Sequence, residues 1–117
     1  MLERLFNMVE PFFVRATVKQ EKVLKRVDPM QVVSLSTVKN YTEIALIGNK
    51  VYTVRTSLVN ALKNFPPDMF VRIGRAKVVS KFVIDDIARD HLIIGDKAIP
   101  IPRAYYKYVV AGLNIIE

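Results

Sequence analysis

The sequence predicts a mainly β domain with short helices, and three observations carry that expectation. Most of the chain falls into short apolar-rich runs bounded by turn-forming residues, as strands do. Helical spacing, apolar at i, i+3, i+4 and i+7, marks residues 2–9, 58–65 and 106–113 as short helices. Gly48 with Asn49 and Gly95 with Asp96 mark tight turns between strands, while Pro11, Pro66 and Pro67 close helices. At 117 residues the chain is one domain's worth. It can bury about two thirds of its unfolded surface in one core without a disulfide or metal.

Leu2, Leu5, Phe6 and Val9 give residues 1–10 the pattern of an amphipathic linker or packing helix, ahead of a domain spanning 11–117. Residues 12–18 and 22–27 then read as the arms of a hairpin turning at Lys19, Gln20 and Glu21. Its cations, Arg15, Lys19, Lys22, Lys25 and Arg26, face only Glu21. They suit either a phosphate backbone or a solvated strand face.

Asp28 before Pro29 suits a one-turn helix, with Asp as cap and Pro where its missing donor costs nothing. Strand character follows from Val32 through Leu35, Ser36 and Thr37, pauses at residues 38–41, and resumes over 42–47. Gly48 and Asn49 make a turn with Gly first, and 50–55 is the return strand. Thr56 or Ser57 can cap a helix whose apolar residues Leu58, Ala61, Leu62 and Phe65 face a sheet.

Residues 70–80 mix apolar anchors with Arg72, Arg75 and Lys77 and contain no acid. Residues 81–88 and 92–94 read as strands joined near Arg89, Asp90 and His91, and 97–101 as a further strand. Pro102 opens the last helix, with Tyr106, Val109, Val110 and Leu113 on one face and Gly112 near its end. Arg103 therefore falls in its first turn, where exposed amides and a guanidinium can act together on a phosphate.

Eighteen Lys and Arg against eleven Asp and Glu leave a net charge of +7 and a pI near 9.8. A polyanion is the natural partner of such a surface. Three positions concentrate suitable chemistry. Residues 38–41 carry Lys39, Asn40 and Tyr41, which suit phosphate or guanine contact, bidentate hydrogen bonding to a base and apolar contact. They equally suit a plain turn in which Asn40 takes the left-handed conformation and Tyr41 packs inward. Arg75, between Gly74 and Ala76, has no long neighbour to pair with it or shield it; with Lys77 it reads as a DNA contact or as a charged strand edge. Arg103 is the third.

The same composition excludes much. Without cysteine there is no disulfide framework, thiolate metal site or Cys nucleophile. His91 is the only histidine, and Asp85 and Asp86, adjacent on an expected strand, point to opposite faces. The four glycines are scattered, so no phosphate-cradling loop exists. We expect no enzyme, no catalytic residues, no metal and no cofactor. No apolar run approaches the roughly 20 residues of a membrane span. Residues 1–10 carry charge instead of a cleavable apolar stretch, so a cytoplasmic protein with no membrane partner is expected.

Taken with their flanks, these segments resemble the LytTR family of bacterial DNA-binding domains. Phe13, Val14 and Arg15 resemble its opening strand, and residues 32–41 its strand with an Asn and Tyr tip. Val54, Arg55, Thr56, Ser57 and Leu58 resemble its strand-to-helix junction. Residues 70–79 resemble its central Phe, Arg, Ile, His, Arg, Ser block, and 99–105 its Pro and Arg entry to the final helix. The match runs from Pro11 to about Leu113 in order and spacing.

The resemblance implies an elongated, mostly β arrangement of small antiparallel sheets whose loops enter successive major grooves of double-stranded DNA. It also implies a transcription regulator of a two-component system, an N-terminal receiver domain, and a homodimer on direct-repeat sites. Lys39, Asn40, Tyr41, Arg75, Lys77 and Arg103 are the implied DNA contacts. Gly74, Ala76, Ser80, Ser36 and Pro102 stand where the family has His, Ser, Asn, Glu and Ser. They leave open a second function, a regulatory or protein-interaction module on the same fold with weak or non-specific DNA binding. Single-stranded nucleic acid would need exposed aromatics for stacking, for which Tyr41 and Tyr105 are the candidates.

Overall fold

The computed structural model describes residues 11–15 and 23–117. The helix expected at 1–10 and the turn at Lys19, Gln20 and Glu21 lie outside the described residues. The chain groups into two compact units, Met1–Pro67 and Asp68–Glu117. Both are built from small antiparallel sheets and short helices, as the sequence predicts.

In the first unit, β1 (Phe12–Arg15) pairs antiparallel with β2 (Leu24–Val27), Phe12 opposite Val27 and Arg15 opposite Leu24. Next, Asp28 caps a single 3-10 turn, Pro29–Gln31, its carboxylate accepting the Met30 N–H at 3.2 Å. Strands β3 (Val32–Val38), β4 (Tyr41–Leu46) and β5 (Lys50–Val54) form an antiparallel meander. Every second residue of β4, namely Thr42, Ile44 and Leu46, is buried, so one face of that strand is core.

At the β4–β5 turn the sequence suggests left-handed backbone at glycine first. Both Gly48 and Asn49 adopt it, with φ of 87° and 61°. Helix α1 (Leu58–Leu62) begins at Ser57, whose hydroxyl accepts the Asn60 N–H at 3.1 Å. Thr56, the other candidate cap, instead offers its carbonyl to the buried Thr42 hydroxyl at 2.8 Å. That bond satisfies a group that would be costly to bury alone. Leu58 and Ala61 are buried, and α1 packs on β3 and β4. Beyond the helix, Phe65 meets Phe12 edge-on, with ring centres 4.9 Å apart.

In the second unit, β6 (Phe70–Gly74) and β7 (Lys77–Ser80) form a hairpin. A three-stranded sheet follows, ordered β10 (Lys97–Pro100), β9 (His91–Ile94) and β8 (Asp86–Ile87). The strand expected over 81–88 is mostly absent. Ser80, fully buried, accepts the Phe82 N–H on its hydroxyl at 3.3 Å and caps a 3-10 turn, Lys81–Val83. This local bond offers the backbone an alternative to a ladder, so only Asp86 and Ile87 pair.

The last helix also starts later than expected. Pro102 is extended (φ −57°, ψ 141°), and the Tyr105 N–H reaches its carbonyl at 2.8 Å. The result is a 3-10 turn, Arg103–Tyr105, before helix α2 (Tyr106–Ala111). Arg103 therefore sits in a tight turn and not in the first turn of an α-helix. Val71, Ile73, Val79, Leu92, Ile101 and Val109 form the buried core of this unit. Of the residues assigned to the same helix face as Val109, Tyr106 and Leu113 pack half-buried against this core, and Val110 is half-buried.

Candidate nucleic-acid interface

Lys39 and Asn40 are the two-residue turn between β3 and β4, closed by the pair Val38 and Tyr41. Both turn residues are exposed, while Tyr41 is half-buried at the start of β4. The left-handed backbone anticipated for Asn40 falls on Lys39, with φ of 56°. A lysine held there carries Cβ strain that a glycine would not. The twist of the flanking strands asks for this conformation in a two-residue hairpin turn.

Arg75 and Ala76 are the two-residue turn between β6 and β7, with Gly74 opposite Lys77. Two-residue hairpin turns normally use left-handed backbone, because the opposite hand splays the strands. None of Gly74, Arg75 and Ala76 has a positive φ. Instead, the pairing register shifts between Arg72 and Gly74, and a side chain braces the turn. Arg72 Nη1 donates to the Gly74 carbonyl at 3.3 Å and to the Arg75 carbonyl at 2.7 Å. Arg75 is left exposed at the apex, with Lys77 half-buried beside it.

Arg103 is exposed in its 3-10 turn, two residues after the buried Ile101. The Ile101 N–H donates to the Asp90 carbonyl at 2.8 Å, which fixes where this segment leaves β10. The turn itself packs against β6.

Among the described residues, no carboxylate lies within ion-pair distance of Lys39, Arg75, Lys77 or Arg103. Two other cations of the second unit are engaged: Arg89 sits over the Tyr106 ring at 5.8 Å and Lys107 over Tyr108 at 5.3 Å. Lys39, Asn40 and Tyr41 thus occupy a hairpin tip of the first unit. Arg75, Lys77 and Arg103 occupy a hairpin tip and a turn of the second. The residue missed by sequence reasoning is Arg72. Its signal was a second arginine three positions before Arg75, but a strand spacing of three gave no reason to join them.

Two acids of the second unit are occupied elsewhere. Asp85 accepts the Gly95 N–H at 2.7 Å across its turn. His91 Nδ1 lies 2.7 Å from Asp90 Oδ1. The His91 hydrogen bond, and then its charge, hold the Asp90 carboxyl below the usual carboxylate range. No group of three His, Cys, Asp or Glu side chains among the described residues could hold a metal ion. No described helix is long and apolar enough to cross a membrane.

The family model described as the LytTr DNA-binding domain matches residues 22–114. That span leaves out Phe13, Val14 and Arg15, the first segment of the resemblance seen in the sequence. Among solved structures, one match is the LytTr DNA-binding domain of a protein described as a methyl-accepting/DNA response regulator from Bacillus cereus. The alignment covers 90% of this chain and 97% of that one, at 20% identity and a TM-score of 0.71, so the two share a fold. No curated protein matches the chain.

Proposed function

The chain belongs to the LytTR family of DNA-binding domains, and from that membership we propose that it binds double-stranded DNA sequence-specifically by inserting its turns into successive major grooves. Arg75 and Asn40 read base edges, and Lys39, Lys77 and Arg103 contact phosphates or bases, with Tyr41 offering its ring beside them. The protein acts in the bacterial cytoplasm as a transcription regulator, the output module of a two-component response regulator with an N-terminal receiver domain, pairing on repeated sites. LytTR is a DNA-binding family and not an enzyme class.

The observation that carries this reading is Arg75, exposed at the apex of a braced turn with no carboxylate partner among the described residues. A protein-interaction module on the same fold would be favoured had Arg75 and Arg103 been paired with acids such as Asp85 or Asp86. Asp85 instead binds a backbone amide. The test is selection of bound duplexes from a random pool at two salt concentrations, followed by titration of variants. Arg75→Ala should relax the selected preference, a good bidentate arginine contact being worth roughly 1–3 kcal/mol of discrimination. Lys77→Ala should weaken all duplexes alike and flatten the salt dependence by about one unit of slope. A pool with no enriched sequence, or titrations that neither change moves, would refute it.

A further inference from the structure

We infer that Arg72 is the positioning residue of the Arg75 tip, and that it sets how well Arg75 discriminates between DNA sequences without itself contacting DNA. The inference rests on the DNA-binding reading above. The turn of Arg75 and Ala76 lacks the left-handed residue that would fit it to the strand twist. A hairpin closed in this way has no backbone preference holding its apex. The bonds from Arg72 Nη1 to the carbonyls of Gly74 and Arg75 supply what the backbone does not.

The chemistry of the brace is specific to a planar cation. Arg72 is half-buried on the face of β6 opposite the buried Val71 and Ile73, and its guanidinium reaches the carbonyls of the turn. Hydrogen bonds from a charged donor are roughly twice as strong as neutral ones. A guanidinium presents its donors as a rigid fork, whereas an ammonium is a flexible point donor. Both acceptors are backbone carbonyls adjacent to the side chain being aimed, so their loss would free the direction of Arg75 without removing any DNA contact. Contacts to base edges are sensitive to such misalignment, and contacts to phosphates much less so.

The full chain carrying Arg72→Lys or Arg72→Gln provides the test, each checked for wild-type melting. Two readouts are taken. In the free protein, amide hydrogen exchange at Lys77, paired with Gly74 at the mouth of the turn, should quicken in both variants while Val71 and Val79 keep their protection. In titrations, the affinity ratio of the selected duplex to a scrambled one should fall by about tenfold in Arg72→Lys, one misaligned bidentate contact. Scrambled-duplex affinity and salt slope should stay at wild-type values, because the charge is retained. Combining Arg72→Lys with Arg75→Ala should lower the ratio no further than Arg75→Ala alone.

Unchanged exchange at the turn overturns the inference at the brace, whatever the DNA result. An unchanged ratio overturns it too, as does a parallel loss on both duplexes, which would make Arg72 a phosphate contact. Faster exchange in a protein whose wild type never prefers one duplex overturns it at the DNA reading and leaves the brace intact.

Discussion

Arg72 Nη1 lies 2.7 Å from the carbonyl oxygen of Arg75, so one arginine of the hairpin closes the turn that presents the other. The two share a sign and a strand-turn segment but serve different ends, the first directed at backbone and the second at solvent. This division lets a short, glycine-poor turn hold a long side chain at its apex, which matters because orientation, more than charge, separates base reading from phosphate contact.

Gly74, where the family resemblance places a histidine, is the first position to restore. A Cβ built there meets nothing within 4 Å, and its φ is not positive, so a side chain fits without strain. We expect Gly74→His to leave stability unchanged or raise it by about 0.4–1 kcal/mol, through the unfolded state. One added hydrogen bond at the tip should change discrimination between duplexes by about 1 kcal/mol, several-fold in relative affinity. Denaturant melts and paired titrations check both parts, and a loss of stability would show that the site is not open.

Lys39 sets stability against binding at the other tip. Its φ of 56° carries the Cβ clash of left-handed backbone, about 1–2 kcal/mol for an ordinary residue. Lys39→Gly should therefore stabilise the fold by up to about that amount. Loss of the cation should at the same time weaken every duplex and lower the salt slope by about one unit. Lys39→Ala, which keeps the strain and loses the charge, should weaken binding without the gain in stability. Equal melting midpoints for the Gly and Ala variants would contradict the strain.

How far the sequence disclosed this depends on how local each cause is. Asp28 and Ser57 were legible as caps because a cap needs only its own neighbours, and both accept the expected amide. Thr42, Ile44 and Leu46 were legible as strand because alternation survives wherever one face is buried. Ser80 was not, since the apolar residues after it look like strand and hide a hydroxyl that caps a tight turn. The start of α2 was missed because Pro102 suits both the first residue of an α-helix and the extended residue before a 3-10 turn. At the candidate interface the residue types were readable, but which residue of Lys39 and Asn40 bears the strain, and that Arg72 braces Arg75, depend on turn geometry.

Asp90 gives a pH dependence with a definite sign. Its carboxyl is held below the usual range by the hydrogen bond from His91 and by the charge of that ring, against a small opposing cost of burial. A carboxyl depressed in the fold stabilises the protein above its unfolded value, near pH 4, and loses that contribution as pH falls through the folded value. The pair is exposed, so the effect is small and weakens with added salt. A carboxyl-carbon NMR titration should place Asp90 lower in the wild type than in His91→Ala, where it should return to the ordinary range. Identical midpoints would remove the pair as the cause.

Gly112 fixes how closely α2 can approach β6. A Cβ built at Gly112 would lie 2.9 Å from Val71 Cγ1, closer than real Cβ atoms come to a neighbour. Val71 is almost fully buried in the core of the second unit and, being β-branched, has little rotamer freedom with which to retreat. Gly112→Ala must therefore push α2 outward or distort Val71, and overpacking of this kind costs about 1–3 kcal/mol. The entropic advantage of alanine, about 0.4–1 kcal/mol, offsets only part of it. We expect a net loss of roughly 1 kcal/mol in a denaturant melt of Gly112→Ala. The double variant Gly112→Ala with Val71→Ala should show less loss than the sum of the two single changes, because the second removes the methyl that the first strikes. Additive losses would mean that the helix end yields without touching β6, and the tight approach would not be what sets its position.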